Sequence, residues 1–256
     1  MIHIGCCGFR SSRVAYYGRL AAVEVQHTFY QPPRAQTLAK WREEAPPGFE
    51  FAVKAWQLIT HQSSSPTYKR LKRSLDDEER AGAGSFRPTA VVGEAWGATL
   101  ESAAALAASA VLFQCPASFG PTRENVENLR AFFDGRERRG LRFCWEPRGD
   151  WPRELVRELC EGLDLWHAVD PFAARTTTPA KCYFRLHGRR GWRYSYEDAE
   201  LEELLSMLPR DAASYVFFNN VEMLRNAERF KELAAAEGRA SGTEPRAGTS
   251  HVRGDC

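Results

Sequence analysis

The sequence lacks a hydrophobic run long enough to cross a membrane. Its longest apolar stretch, near residues 103–113, is interrupted by Ser109 and falls short of the ~20 apolar residues that span a bilayer. The first ten residues, MIHIGCCGFR, contain no basic segment followed by an apolar core. We therefore expect no signal peptide and no membrane partner.

The chain also lacks the cysteine spacing of a zinc site. None of the seven cysteines forms a CxxC pair, and six of them are scattered through apolar runs. A structural zinc site is therefore not expected. Cysteines placed in this way are typical of reduced thiols in the core of a cytosolic protein, so we expect a cytoplasmic location.

Neither sign of charge is in large excess. The chain has 35 basic and 33 acidic residues, which give a net charge of +2 and predict no partner by themselves. Lysine is scarce, with only six among the basic residues. The remaining basic residues are arginines, whose rigid donor forks suit phosphate and carboxylate. Their positions are therefore more informative than the total charge.

Eight short apolar runs separated by helix-like segments organise this chain of 256 residues. The runs are 2–6, 22–25, 49–53, 110–113, 141–145, 165–169, 182–186 and 215–218, and the helix-like segments are 34–44, 91–109, 123–133, 152–161, 197–208 and 226–236. Continuous apolar runs are typical of buried parallel strands. The alternation predicts a single α/β domain over 1–237, a (β/α)8 TIM barrel. The alternative is a doubly wound open sheet, which usually has fewer strands, and no GxGxxG follows the first run.

Two segments depart from this alternation. Residues 62–87, after the third strand, form a polar insertion that contains a basic run at 69–73 and an acidic run at 76–79. It is interpreted either as a solvated helical insertion or as a lid over a substrate. Residues 238–256 contain almost no apolar side chains, so we expect a disordered tail.

Polar side chains follow nearly every predicted strand. They are Glu24, Gln26, His27, Thr28 and Tyr30 after the second, Lys54 and His61 after the third, Gln114 after the fourth, Glu146 and Arg148 after the fifth, Asp170 after the sixth, Arg185 and His187 at the seventh, and Asn219 and Asn220 after the eighth. Active sites of TIM barrels lie at the carboxyl ends of the strands. We therefore predict a polar pocket of mixed charge there.

Several of these side chains allow more than one interpretation. Glu24 and Lys54 lie on adjacent strands and could form a buried ion pair, or Lys54 could be an amine of depressed pKa suited to Schiff-base chemistry. Glu146 and Asp170 could be an acid and base couple, as in glycoside hydrolysis, or each could be held by Arg148, Arg185 or the backbone.

A divalent metal is a further candidate for this pocket. His61 and His187, together with Glu146 and Asp170, could supply its ligands, and Glu24 and His27 could join them. The sequence contains no HExxH or HxH motif, so this hypothesis depends on the fold to bring the ligands together.

The segment 181–196, KCYFRLHGRRGWRYSY, is a candidate anion-binding loop. It has five basic residues, no acidic residue and interleaved aromatic residues. Barrel enzymes often bind phosphate with the loops after strands seven and eight, where Arg forks can hold phosphate oxygens. The simpler interpretation is a surface loop with incidental arginines. The basic run 69–73 could extend such a surface.

Eight motifs in order resemble one known family. They are GCCGF near the start, VEVQHTFYQPP at 23–33, FAVKAWQLITH at 51–61, VLFQCPASF at 111–119, CWEPRGDW at 144–151, VDPF at 169–172, YFRLHG at 183–188 and FFNN at 217–220. The pattern is similar to the domain-of-unknown-function-72 family, also called YecE-like, and most similar to its archaeal branch. The resemblance implies a TIM barrel, and the likeness of that family to endonuclease IV-type barrels implies DNA or phosphodiester binding. Phe9 stands where many members have Trp.

Three functional hypotheses follow. In the first, the protein is an enzyme, such as a hydrolase, that acts on a phosphate-bearing small molecule or nucleic acid. Its anion would be held by Arg148, Arg185, His187 and Arg189, with Tyr30, Gln114, Asn219 and Asn220 completing the binding set. Glu146 and Asp170 would act as base and acid, or share a metal with His61 and Glu24, while Lys54 stabilises developing negative charge. The alternatives are a non-catalytic nucleic-acid-binding protein and a glycoside-type hydrolase that uses Glu146 and Asp170.

Overall fold

Eight parallel strands close into a barrel in the computed structural model, which describes residues 1–240. The strands are β1 (Ile2–Cys7), β2 (Ala22–Val25), β3 (Glu50–Lys54), β4 (Ala110–Gln114), β5 (Arg142–Glu146), β6 (Trp166–Val169), β7 (Tyr183–Leu186) and β8 (Ser214–Phe218). Each strand pairs with the next along the chain, and β8 closes the barrel on β1. The predicted (β/α)8 fold is confirmed.

Helices connect most of the strands. They are α1 (Arg13–Tyr17), α2 (His27–Tyr30), α3 (Ala35–Glu44), α4 (Gln57–Thr60), α5 (Asp77–Gly82), α6 (Ala90–Ala105), α7 (Arg123–Phe133), α8 (Arg153–Gly162), α9 (Asp198–Ser206) and α10 (Met223–Ala236). The six predicted helices correspond to α3 and α6 to α10. The other four are one or two turns long, too short to show a helical period in the sequence. Residues 170–182 connect β6 to β7 without a helix.

The insertion at 62–87 is anchored to the barrel. It contains a 3-10 turn at Pro66–Arg70 and α5. The Tyr68 hydroxyl donates to the backbone carbonyl of His61 at 2.7 Å. The backbone N–H of Gly84 donates to the backbone carbonyl of Leu58 at 2.8 Å. Phe86 is buried among the rings of Phe113, Phe119, Phe132 and Phe133. The segment is therefore held in place at both ends.

Alternate residues of each strand point into the barrel, as the period of two requires. One cluster of buried residues fills this interior. Small side chains from β1 to β6, among them Ala22, Ala52 and Ala110, face the large rings of Tyr183, Tyr215 and Phe217 from β7 and β8. A second, larger cluster packs the outer faces of the strands against the helices. The carboxyl end of the interior is thus left to polar residues.

The described chain ends in contact with the barrel. The backbone N–H of Ile2 donates to the carbonyl of Arg239 at 2.9 Å, and the Arg239 guanidinium donates to three backbone carbonyls, of Leu205, Leu208 and Pro209. Residues 238–240 therefore belong to the domain, and the remainder of the predicted tail lies outside the described residues. Within 1–240, no helix is long and apolar enough to cross a membrane.

Gly5 in β1 offers a test of this interior packing. A Cβ atom there would overlap the backbone carbonyl of Ala22 and lie 3.1 Å from the Phe217 ring. We expect Gly5→Ala to lower the free energy of unfolding by about 1–3 kcal/mol, the usual cost of overpacking a core. Urea-induced unfolding monitored by circular dichroism measures this change.

Gly93 on α6 is the matched control, because a Cβ atom there meets no atom within 4 Å. Gly93→Ala should leave stability unchanged or raise it by up to about 1 kcal/mol through helix propensity. Equal stability of the two variants would contradict the interior packing described here.

Candidate functional site

The alternation of the strands places a layer of polar side chains at the carboxyl end of the barrel interior. Glu24 lies two residues beyond the inward-facing Ala22, and Lys54 two beyond Ala52. The same period brings in Gln114 from β4, Glu146 from β5 and Arg185 from β7. These are five of the predicted site residues, and they meet because parallel strands end at the same face.

Arg185 is the centre of this layer. It is 1% exposed, and its Nε and one terminal nitrogen donate to the two carboxylate oxygens of Glu24 at 3.0 and 2.9 Å. Its other terminal nitrogen donates to Glu146 at 2.6 Å and to Gln114 Oε1 at 3.2 Å. The Sγ of Cys7 lies 3.6 Å from the guanidinium. The five N–H groups of Arg185 thus all have partners inside the protein.

These contacts fix the charge of both carboxylates. Burial, the largest single influence, would raise their pKa values, but the charge of Arg185 together with the other cations and hydrogen bonds outweighs it. The pKa of Glu24 is lowered, and that of Glu146 falls to about 2 with the further help of Arg148. Tyr183 also donates to Glu24, at 2.8 Å. Both carboxylates are therefore ionised at neutral pH and cannot donate a proton there.

Arg148 joins this layer to Asp170. Its Nε donates to Glu146 at 2.8 Å, and a terminal nitrogen lies 3.0 Å from Nε2 of His187. Asp170 accepts the backbone N–H of His187 at 2.8 Å and that of Phe172 at 3.1 Å. Glu146 and Asp170 are therefore connected through Arg148 and His187, and each is already engaged.

The metal hypothesis for His61, Glu146, Asp170 and His187 needs correction. Across residues 1–240, no three His, Cys, Asp or Glu side chains come together in a way that could hold a metal ion. The physical reason is that guanidinium groups occupy the carboxylates: Arg185 and Arg148 each contact Glu146. The positive charges that Glu146 binds are therefore arginine side chains of the protein itself.

An open pocket of about 500 Å³ lies above the layer. Its lining includes ten of the predicted site residues, namely Gln26, His27, Tyr30, Lys54, His61, Gln114, Arg148, Arg185, His187 and Asn219. The other six do not line it. Glu24, Thr28 and Glu146 are buried, while Asp170, Arg189 and Asn220 make contacts elsewhere.

Lys54 lies at the floor of this pocket without a carboxylate partner. The suggested ion pair with Glu24 is absent, since the two oxygens of Glu24 accept instead from Arg185, Tyr183 and Gln26. The Lys54 amine instead lies 3.8 Å from the centre of the Phe29 ring. Burial, followed by the charge of Arg185, lowers the pKa of Lys54 to about 7. The amine therefore changes protonation state near neutral pH.

His61 is held in its neutral form beside Lys54. Its Nδ1 shares a hydrogen bond of 2.7 Å with the Thr60 hydroxyl, and its ring packs edge-on against Phe29. Burial, followed by the charges of Lys54 and Arg148, lowers the pKa of His61 to about 3. Its Nε2 is the ring nitrogen that does not contact Thr60.

The basic loop 181–196 is largely neutralised by acids from elsewhere in the chain. Lys181 pairs with Asp164 at 2.5 Å, and Arg189 pairs with Glu200 at 3.0 Å and also with Glu203. Arg185 is buried, as described. Of the five basic residues, Arg190 and Arg193 have no carboxylate partner within the described chain. Asn220 contributes to the structure of this loop, since it donates to the Tyr194 carbonyl at 2.7 Å.

The structure adds three polar pocket residues that the sequence did not single out. Arg10 follows the GCCGF motif, and Thr67 and Arg70 come from the insertion. The Arg70 guanidinium lies 3.5 Å from the centre of the Tyr30 ring. Its place in the basic run 69–73 was a signal, but only the fold connects that run to the pocket. Phe9 also lines the pocket and packs edge-on against Tyr16, Tyr17 and Trp41.

Comparison with known proteins gives a family match and a shared fold. Residues 8–249 match the model of a family described as protein of unknown function DUF72. The UPF0759 protein YunF of Bacillus subtilis is 25% identical over 281 residues, covering 91% of this chain and 89% of that protein. A DUF72 family protein from Enterococcus faecalis is 23% identical in structure-based alignment, with a TM-score of 0.71 and coverage of 96% and 99% of the two chains.

One more distant structure shares the barrel. An AP endonuclease, family 2, from Brucella melitensis has a TM-score of 0.54 at 12% identity, covering 92% of this chain and 98% of that one. At this identity the likeness establishes the fold alone.

The Arg185 layer can be tested through stability. Arg185→Met leaves Glu24 and Glu146 without their main partner, and we expect it to lower the free energy of unfolding at pH 7 by about 3–5 kcal/mol. The difference in stability between the wild type and the variant should shrink in acid, for two reasons. The variant gains stability as its buried carboxylates take up protons. The wild type loses stability as the pH falls from 4.5, the ordinary pKa of Glu146, through about 2, its folded value. Denaturant unfolding at several pH values measures both effects.

Arg123→Met is the control, because Arg123 pairs with Glu127 on the surface and its side chain is 91% exposed. It should cost less than about 0.5 kcal/mol. A similar small loss for Arg185→Met would contradict the central role given to Arg185.

Proposed function

The chain belongs to the DUF72 family of proteins of unknown function, and we propose that its strand-end pocket binds a phosphate-bearing substrate. One observation carries this proposal: the pocket is lined by arginines that have no carboxylate to neutralise them. Arg10 and Arg70 line it without an acidic partner in the described chain, while the nearby carboxylates of Glu24 and Glu146 are committed to Arg185 and Arg148. An anion entering the pocket meets an excess of positive charge.

The arginines at the pocket are suited to phosphate oxygens. Arg70 is stacked on Tyr30, which holds its planar donor fork in position. Arg148 uses its Nε for Glu146 and one terminal nitrogen toward His187, so N–H groups of the same fork remain for a ligand. His187 and Asn219 line the same wall. In this proposal Arg185 orients the carboxylates below and does not itself contact the ligand.

Two amide side chains present hydrogen-bonding groups to the pocket in fixed orientations. Gln114 accepts from Arg185 through Oε1, so its NH2 group is left for a ligand. Gln26 donates its NH2 group to Glu24, so its carbonyl oxygen is left as an acceptor. Each amide is thereby fixed in one orientation by the charged layer below. The pocket can therefore bind a substrate that carries hydroxyl groups as well as phosphate.

The AP endonuclease from Brucella melitensis has the same barrel, and its name is that of an enzyme acting on nucleic acid. That likeness is compatible with a phosphate-bearing substrate but does not choose between a small molecule and nucleic acid. A second candidate, non-catalytic nucleic-acid binding, is favoured by Trp192. The residue is 59% exposed, and the Arg193 guanidinium lies 5.2 Å from the centre of its ring, with Arg190 two positions earlier in the chain. Exposed aromatic rings flanked by arginines can stack bases.

The geometry does not favour the glycoside-type alternative. That chemistry needs one protonated carboxyl group and one free carboxylate on either side of the scissile bond. Glu146 is ionised and held by two guanidinium groups, and both oxygens of Asp170 accept backbone N–H groups. Neither is available in the required form.

Phosphate binding predicts a rise in the melting temperature. Inorganic phosphate at about ten times its Kd should stabilise the wild type by about 1.4 kcal/mol and raise Tm by about 3–5 °C. The double variant Arg10→Gln/Arg70→Gln should lose most of this shift, because it removes the two unpaired cations of the pocket. Differential scanning fluorimetry at constant ionic strength, with chloride as the reference anion, measures it.

Arg123→Gln removes a surface charge outside the pocket and should keep the full shift. Loss of the shift in Arg123→Gln as well would mean general charge screening and would count against a pocket site. For the second candidate, a single-stranded oligonucleotide should bind less tightly to Arg190→Gln/Arg193→Gln and as tightly as wild type to Arg10→Gln/Arg70→Gln.

A further inference from the structure

Lys54 differs from every other cation of the pocket in its surroundings. It is the last residue of β3, it is 6% exposed, and it lines the pocket floor. No hydrogen bond or ion pair to its amine is found within residues 1–240, and the amine lies 3.8 Å from the centre of the Phe29 ring. Its backbone, in contrast, is fixed, because the Thr28 hydroxyl donates to the Lys54 carbonyl at 2.7 Å.

The charged groups around Lys54 come from five parts of the barrel. They are Glu24 on β2, His61 after α4, Glu146 on β5, Arg148 after β5 and Arg185 on β7. The two carboxylates, which would keep the amine charged, are matched by the two arginines, and His61 is neutral. The ring of Phe29 favours the charged form but does not replace a carboxylate. The amine therefore has an accessible neutral form at the pH of the cell.

Anion binding does not need a neutral amine. Arg10, Arg70 and Arg148 already supply permanent positive charge to the same pocket. A buried amine without a counter-ion is instead suited to attack a carbonyl carbon, which requires its lone pair. Arg148 and the free NH2 group of Gln114 line the pocket as donors for the oxygen atom that becomes negative in that step.

We propose that Lys54 forms an imine with the carbonyl carbon of a phosphate-bearing aldehyde or ketone, a phosphorylated open-chain sugar being the substrate class that fits both the cations and the amides. This rests on the phosphate-binding function proposed above. The lone pair of Nζ forms a C–N bond while the carbonyl π electrons move to oxygen, and one proton passes from the nitrogen to that oxygen. The resulting carbinolamine loses its hydroxyl group together with the second nitrogen proton as water, and a C=N bond replaces the C=O bond. No oxidation or reduction takes place.

Reductive trapping tests the proposal. The purified protein is incubated with D-glyceraldehyde 3-phosphate and sodium cyanoborohydride, which reduces an imine to a stable secondary amine, and the adducts are located by peptide mass spectrometry. The chain has only six lysines, so each can be followed. We expect labelling mainly at Lys54, with a rate that rises through about pH 7 and then levels off, as its pKa dictates.

The phosphate group should matter as much as the aldehyde. Glyceraldehyde without phosphate should label Lys54 at least about tenfold more slowly, because it lacks the binding energy of the remote anion. Inorganic phosphate should compete with the phosphorylated probe. Lys54→Met has a similar volume and no charge to bury, so it should fold at least as stably as wild type and lose the selective adduct. Lys54→Arg keeps the charge and should also remain unlabelled at position 54.

The outcomes separate the two proposals. Labelling spread over Lys40, Lys69, Lys72, Lys181 and Lys231 without preference for Lys54 overturns the imine proposal. If phosphate still raises Tm in that case, through Arg10 and Arg70, the phosphate-binding function stands. Preferential labelling of Lys54 that is equally fast with and without the phosphate group, together with no phosphate-induced shift, supports the reactive amine and overturns phosphate binding.

Discussion

The bidentate contact between Arg185 and Glu24, inside the barrel, is the interaction on which the pocket depends. Removing these charges from water costs several kcal/mol per ion, so the contact is favourable only because every polar atom of the guanidinium finds a partner. β7 and β2 are not neighbours in the sheet, and the contact therefore spans the barrel interior. Glu146 and Gln114 complete it from β5 and β4. One side chain thereby links four strands at the floor of the site.

The properties of the other floor residues follow from this contact. Arg185 contacts both oxygens of Glu24, and Lys54 makes no carboxylate contact; burial, followed by the charge of Arg185, lowers the pKa of Lys54 to about 7. Since Arg185 takes Oε1 of Gln114, the amide must present its NH2 group upward. Below the floor, the interior is filled by apolar side chains and rings, which cannot solvate the charges, so the partners within the layer must stabilise them. Protonation state and hydrogen-bonding direction at the pocket are thus set by one buried arginine.

Much of this arrangement could be predicted from the sequence. The eight strands can be predicted because buried parallel strands are continuous apolar runs in the sequence. The residues at their carboxyl ends include most of the pocket residues. The pairing of those residues could not be predicted, because Glu24 has both Lys54 and Arg185 within reach in a barrel and only the three-dimensional spacing decides. The sequence predicts that Arg189 binds the anion for a related reason. Its partners, Glu200 and Glu203, lie in α9, outside the basic loop on which that prediction depends. Arg10 follows β1 by three residues and Arg70 lies in the basic run 69–73, but only the fold shows that both line the pocket.

The arginines have different partners at different depths of the barrel. This explains why the net charge of +2 does not indicate the charge of the pocket. At the floor, Arg185 is matched to Glu24 and Glu146, and Arg148 uses part of its donor fork for Glu146. On the outer surface, arginines such as Arg123 and Arg157 pair with acids of their own helices. Arg10 and Arg70, which line the pocket, have no carboxylate partner within residues 1–240. A near-neutral chain can therefore present a positive pocket, because the carboxylates nearest the pocket are already paired and two of its arginines are not.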